Sequence, residues 1–215
     1  MSLGFDLGPA RLEALPSGAL SWPAEGLLCV SDLHLGKSER LARRGGSLLP
    51  PYETQATLEK LDADLARTGA RAVICLGDSF DDDGAAEALD EGILLWLARL
   101  MAGRDWTWIT GNHDPGPLTL GGAHRAEVHR AGLAFRHEGG GAGVEISGHF
   151  HPKANLPGLG TRPCFLLGSD RLILPAYGHY TGGLRAEAPL FDALVGPRAL
   201  AILTGPKPLA IPRPR

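Results

Sequence analysis

The chain has 215 residues, 44% hydrophobic and 21% charged, with a formal net charge of −3 at pH 7. That size and balance predict a soluble globular protein, one domain over residues 1–215, able to bury a substantial core. They exclude a membrane helix, since no apolar run approaches the ~20 residues required, and they exclude a passive nucleic-acid coat, which needs a global basic footprint.

The opening stretch "MSLGFDLGPARLEALPSG" lacks the basic-then-apolar pattern of a secretory signal. Residues 10–22 read as a hairpin turning at "PSG". "GLLCVSDLHLG" is an apolar strand that runs into polar residues. "PYETQATLEKLDADLARTG" predicts a helix: Pro51 suits the first turn, Leu58, Leu61 and Leu65 form a stripe, and Gly69 closes it. "RAVICLGDSFDD" repeats the strand-then-acid pattern, "AAEALDEGILLWLARLMAG" predicts a second helix ending near Gly103, and "DWTWITGNHD" a third strand. Three strand-to-polar-loop units alternating with helices predict an α/β core. Beyond residue 120, short runs such as "VHRAGLAFRHE", "VEISGH", "PCFLLG", "RLILPA" and "ALAILT" predict strands separated by Gly and Pro. "PKPLAIPRPR" predicts an extended tail with a frayed end. Cys29, Cys75 and Cys164 all lie in strand-like runs without a C-x-x-C, which predicts buried free thiols in a cytoplasmic protein.

Each early strand ends in metal-capable residues: Asp32 and His34 in "SDLH", Asp78 in "GDSFD", Asn112 and His113 in "GNHD". His137 follows in "FRHEG", and "GHFHP" carries His149 and His151. Polar groups of α/β sheets gather at the carboxyl ends of strands, so the first five converge on one crevice. In an extended segment, positions i and i+2 share a side. His149 and His151 would then face together, with Phe150 opposite and Pro152 ending strand pairing. Any one of these stretches alone is more often a surface loop, but the ordered set is not. Carboxylate, imidazole and amide donors without thiolates suit Mn, Fe or Zn better than Mg or Ca, and they disfavour a closed structural zinc site. His124 and His129 rival His137, which is preferred because it ends an apolar strand.

The series D-x-H … G-D-x-x-D … G-N-H-D … H … G-H-x-H, over residues 28–152, resembles the motifs of the calcineurin-like metallophosphoesterase superfamily. The resemblance implies an α/β fold, a four-layer αββα sandwich, with two divalent metal ions. Asp32, His34 and His151 would hold the first ion, Asn112, His137 and His149 the second, and Asp78 would bridge them. A hydroxide between the ions would attack phosphorus, with Asn112 and the ions stabilising the equatorial oxygens. His113, the non-ligand histidine, would aid the leaving group, and Asp81 would orient it. Two departures stand out. Asp82, Asp83 and Gly84 follow Asp81 where many relatives have Arg-Gly, and Glu138 follows His137 where Gly is common.

Two further stretches, "SDLHLGKSERLARRGG" and "LILPAYGHYTGG", are similar to the bacterial ligase-associated group of phosphodiesterases and DNA-damage-response endonucleases (PdeM). That likeness implies manganese-dependent cleavage of phosphodiesters, including single-stranded DNA, in repair alongside an ATP-dependent DNA ligase and a helicase. If the segment after the first motif is helical, Lys37, Arg40 and Arg44 share a face that could guide a phosphate backbone, with Arg43 close by. Tyr177 and Tyr180 could stack on bases, and Gly182 and Gly183 could admit a close backbone. A solvated turn and a structural loop are the plainer readings of these two segments. A phosphomonoesterase or nucleotide pyrophosphatase of the same superfamily is the nearest alternative. A non-catalytic scaffold with this fold is the alternative of another class, disfavoured because all seven ligands and His113 have candidates.

Overall fold

The computed structural model describes residues 1–38, 45, 52–82, 84–85, 89–114, 120–158 and 160–214. Its strands form two sheets. The first runs, edge to edge, β1 (Leu3–Leu7), β2 (Ala10–Ala14), β3 (Leu20–Trp22), β4 (Leu27–Val30), β5 (Ala72–Leu76), β6 (Asp105–Ile109) and β7 (Ala123–Arg125). β1 to β4 pair antiparallel, and β4 to β7 are parallel. The second sheet is built from β8 (Glu127–Arg130), β9 (Leu133–Arg136), β10 (Val144–Ser147), β11 (Lys153–Leu156), β12 (Gly160–Leu167), β13 (Arg171–Ile173), β14 (Leu200–Leu203) and β15 (Leu209–Pro212). Its order is β15-β14-β12-β13-β10-β9-β8, with β11 on β12. β9, β10 and β13 are parallel to one another, so this sheet too has strands ending on a common side.

β4 and β5 are buried along their whole length, because each faces apolar layers on both sides. Phe5, Leu12, Cys29 and Ile74 of the first sheet meet Phe135, Ile146, Phe165 and Ile202 of the second in one core. The opposite face of the first sheet packs Leu28, Val30, Val73 and Trp108 against the helices α1 (Glu53–Thr68) and α2 (Glu91–Met101). The outer face of the second sheet packs Leu166, Ile173 and Leu203 against α3 (Leu190–Val195). The result is a four-layer αββα sandwich.

The leucine stripe of α1 is buried, and Gly69 caps the helix in a left-handed conformation, its N–H donating to Leu65. Pro51 lies outside the described residues. Gly84 and Ala85 are also helical, but α2 itself starts at Glu91, because Asp90 is extended and its carboxylate accepts from the Ile93 N–H. The carboxyl-terminal segment is not frayed. β15 pairs with β14, and the buried Arg213 donates to the Ala186 carbonyl and pairs with Asp192. Among the described residues, no helix is long and apolar enough to cross a membrane.

Candidate metal centre

The loops leaving β4, β5, β6, β9 and β10 converge. Among the described residues three groups of donors form there, Asp32/His34/His151, Asp78/His137/His149 and, sharing His34, His34/Asp81/His113, the ligand atoms of each lying within 4.8 Å of one another. In the first, His34 Nε2 is 3.4 Å from His151 Nε2, and His151 Nε2 is 3.2 Å from Asp32 Oδ1. In the second, His137 Nε2 is 3.1 Å from His149 Nδ1, 3.4 Å from Asp78 Oδ2 and 2.9 Å from Asn112 Oδ1. Nitrogen lone pairs that face each other repel unless a cation or proton lies between them. Neighbouring ligands of one ion, at metal–nitrogen bonds of ~2.0–2.1 Å, sit about 3.0–3.4 Å apart. The fully buried Asp32 Oδ1 accepts no aligned hydrogen bond, a cost that a cation would remove. These donors fit divalent ions.

The backbone is strained where the donors sit. Asp32, His34, Asp78, His149 and His151 all have positive φ, between 45° and 71°. Side chains seldom tolerate this region, and such strain clusters at functional sites. The "GHFHP" segment is therefore not an extended strand. The left-handed turns at His149 and His151 send the first to the second triad and the second to the first triad, while Phe150 packs against Phe191. Pro152 does not end pairing. β11 begins at the next residue, and the Pro152 carbonyl accepts from Cys164.

Surrounding groups hold the donors in place. His137 Nδ1 is tied to the Leu76 carbonyl at 2.8 Å, so Nε2 is the nitrogen turned to the centre. Asp32 Oδ2 accepts from the Ser31 hydroxyl and from the His149 N–H at 3.0 Å. Asp114, the last residue of "GNHD", supports the centre from behind. Its buried carboxylate accepts from the N–H groups of Asp78, Ser79, Phe80 and Gly111 at 2.7–3.2 Å, fixing the turn that carries Asp78. Gly178 donates to the Asp32 carbonyl, and a Cβ there would collide with the Leu33 carbonyl, so only glycine lets this loop brace the first triad.

Charge follows the same pattern. Burial would raise the Asp32 carboxyl, but the contact with His151 and the charges of His151 and His137 hold it below its usual range. Asp78 goes down to about 2, its burial outweighed by His137 and the His113 N–H. His137 is pushed up to about 9, because Asp78, Asp32 and the Leu76 carbonyl overcome the opposing effect of burial.

His113 and Asp81 lie beside the first triad. The His113 N–H donates to Asp78 Oδ1 at 2.9 Å, and its Nδ1 is 2.9 Å from the Asp81 carbonyl oxygen. The Asp81 carboxylate forms a cluster with His34 and His113, the donor atoms of the three lying within 4.8 Å of one another. It lies 3.0 Å from His34 Nδ1 and 3.8 Å from Lys37 Nζ. Asp81 thus holds His113 through its main-chain carbonyl, while its carboxylate stands among His34, His113 and Lys37. His124 and His129 stand apart from the cluster, the first at the Leu120 carbonyl and the second on Glu127. Tyr177 cannot stack on a base: it is 0% exposed, its hydroxyl donates to Asp64, and Lys60 lies over its ring. Arg40, Arg43 and Arg44 lie outside the described residues.

The family model for calcineurin-like phosphoesterases matches residues 27–181. None of the curated proteins matches the chain. The crystal structure of the Pseudomonas putida nuclease MPE is similar, with a TM-score of 0.75 and 29% identity, over 97% of this chain and 100% of that one. The matched span holds the loops of both triads, and its fold is the sandwich described above: the chain belongs to the calcineurin-like phosphoesterase family and is a metal-dependent phosphoester hydrolase.

Proposed function

We propose that this chain, acting as one domain, is a dimetal phosphodiesterase and an endonuclease on single-stranded DNA, with manganese as its native ion. The observation that carries the reading is the concentration of positive φ at five donors of two adjacent triads. The likeness to a nuclease over nearly the whole of both chains supports nucleic acid as the substrate. A cytoplasmic role in bacterial DNA repair, beside an ATP-dependent ligase and a helicase, rests on the "SDLHLGKSERLARRGG" and "LILPAYGHYTGG" stretches and on three buried free thiols.

In this reading Asp32, His34 and His151 hold one ion, Asn112, His137 and His149 the other, and Asp78 is shared. Two divalent cations would supply the positive field a phosphodiester needs and an activated water at neutral pH. Asn112 turns Oδ1 to His137, which leaves its amide N–H for an equatorial phosphoryl oxygen. His113 donates Nδ1–H to the Asp81 carbonyl, which leaves Nε2 to face the leaving oxygen, where the doubly protonated ring would supply the proton. Lys37, held near Asp81, adds positive charge for the phosphate backbone.

The test is cleavage of an end-labelled single-stranded oligonucleotide by purified protein with and without Mn²⁺. Internal cuts that require the metal are expected, and His113→Ala should keep its metals while losing roughly 10²–10⁴-fold in turnover. Good hydrolysis of a phosphomonoester without DNA cleavage would overturn the substrate assignment.

A further inference from the structure

Seven described residues other than glycine have φ between 44° and 71°. Five are the donors named above. A sixth, Ala131, sits with Gly132 in the two-residue turn between β8 and β9, where hairpin geometry demands positive φ. The seventh is Tyr180, at 55°, in the turn His179–Tyr180, with no ligand role.

Tyr180 is at the tip of the 177–184 loop, which is pinned on both sides. Before the tip, Gly178 donates to the Asp32 carbonyl, and His179 Nδ1 lies 3.2 Å from the Thr57 hydroxyl. After it, the Thr181 carbonyl accepts from Lys153 Nζ at 2.9 Å, and Leu184 donates to the Phe150 carbonyl. Gly183 lies so close to the His151 carbonyl that any Cβ would collide with it. Tyr180 is thus within about 7 Å of chain from a contact with Asp32 and about 11 Å from one with His151. Its side chain is 45% exposed and makes no hydrogen bond or ring contact among the described residues. A rigid loop holds a bare aromatic ring in a strained backbone, next to a lysine and beside the first triad. Aromatic rings near cations on a fixed surface are what sequence-tolerant binding of single strands requires.

We infer that Tyr180 is a base-stacking residue that holds single-stranded nucleic acid against the metal centre. The inference rests on the nuclease reading above. Of the two tyrosines in "PAYGHYTGG", Tyr177 is buried and Tyr180 is the one exposed to a base.

The test compares manganese-dependent cleavage of a thymidine oligonucleotide with that of an equally long oligonucleotide of abasic spacers, which keeps the phosphates and removes the bases. The wild-type protein should prefer the thymidine strand by roughly ten-fold or more in kcat/KM. Tyr180→Ala should lose that preference through KM rather than kcat, and Tyr180→Phe should restore it. A preference that survives in Tyr180→Ala overturns the inference. So does an equal loss on both oligonucleotides, which would mark a structural role. If the wild-type protein cleaves neither strand yet hydrolyses a chromogenic diester, the nuclease reading itself has failed, and the stacking role falls with it.

Discussion

The Asp81 carboxylate lies 3.0 Å from His34 Nδ1, the ring nitrogen turned away from the first triad. The two atoms make a charge contact rather than an aligned hydrogen bond. A carboxylate behind a metal-binding histidine raises its basicity, and removing such a group typically costs about 10–100-fold in metal affinity. Asp81→Asn should therefore weaken the first metal site by roughly that factor in a calorimetric titration. The main-chain carbonyl that holds His113 is unchanged in this variant, so saturating manganese should restore most of the turnover. Persistent inactivity at saturation would mean that the carboxylate acts on His113 after all.

Asp114 satisfies four buried main-chain N–H groups around the Asp78 turn. Asp114→Ala should cost about 3 kcal/mol or more in urea unfolding, since each orphaned donor carries a penalty of roughly 1–3 kcal/mol. Asp114→Asn keeps one acceptor oxygen and should lose about half as much. Both variants should also bind metal more weakly, because Asp78 rides on the same turn.

The metal-free chain should respond to pH with a defined sign. His137 is pushed from 6.5 up to about 9 in the fold. Its contribution to stability is complete below pH 6.5 and is lost as pH rises through 9. Asp78 is lowered from 3.8 to about 2, so its contribution is present above 3.8 and is lost as pH falls through about 2. Metal-free protein should melt several degrees higher at about pH 6 than at about pH 9.5. At pH 7 the protonated His137 must deprotonate to bind an ion. Titrations in buffers of different ionisation enthalpy should then show release of about one proton.

The donors at the ends of β4, β5 and β6 were legible because each apolar run breaks into acid and histidine at a predictable place, the carboxyl end of a parallel strand. His137 was legible for the same reason at the end of β9. Other features carry no local signal. The partners of Asp114 lie 34–36 residues upstream, apart from Gly111, and no spacing rule links them. The positive φ of the donors falls on Asp and His rather than Gly, so composition does not mark it. Tyr177 and Tyr180 look alike in "PAYGHYTGG", and only the packing of that loop on α1 buries the first and bares the second. The tail pairs as β15 because β14 offers an open edge, a long-range event invisible in a Pro-rich segment.

The central claim is that two triads hold two ions, with His149 and His151 serving different ones. Its most direct test is the manganese stoichiometry of the purified protein and of two variants, by calorimetry with elemental analysis. About two equivalents are expected for the wild-type chain, and about one for each of His149→Ala and His151→Ala, with both variants folded. A single equivalent in the wild-type protein, or two in both variants, would contradict the account.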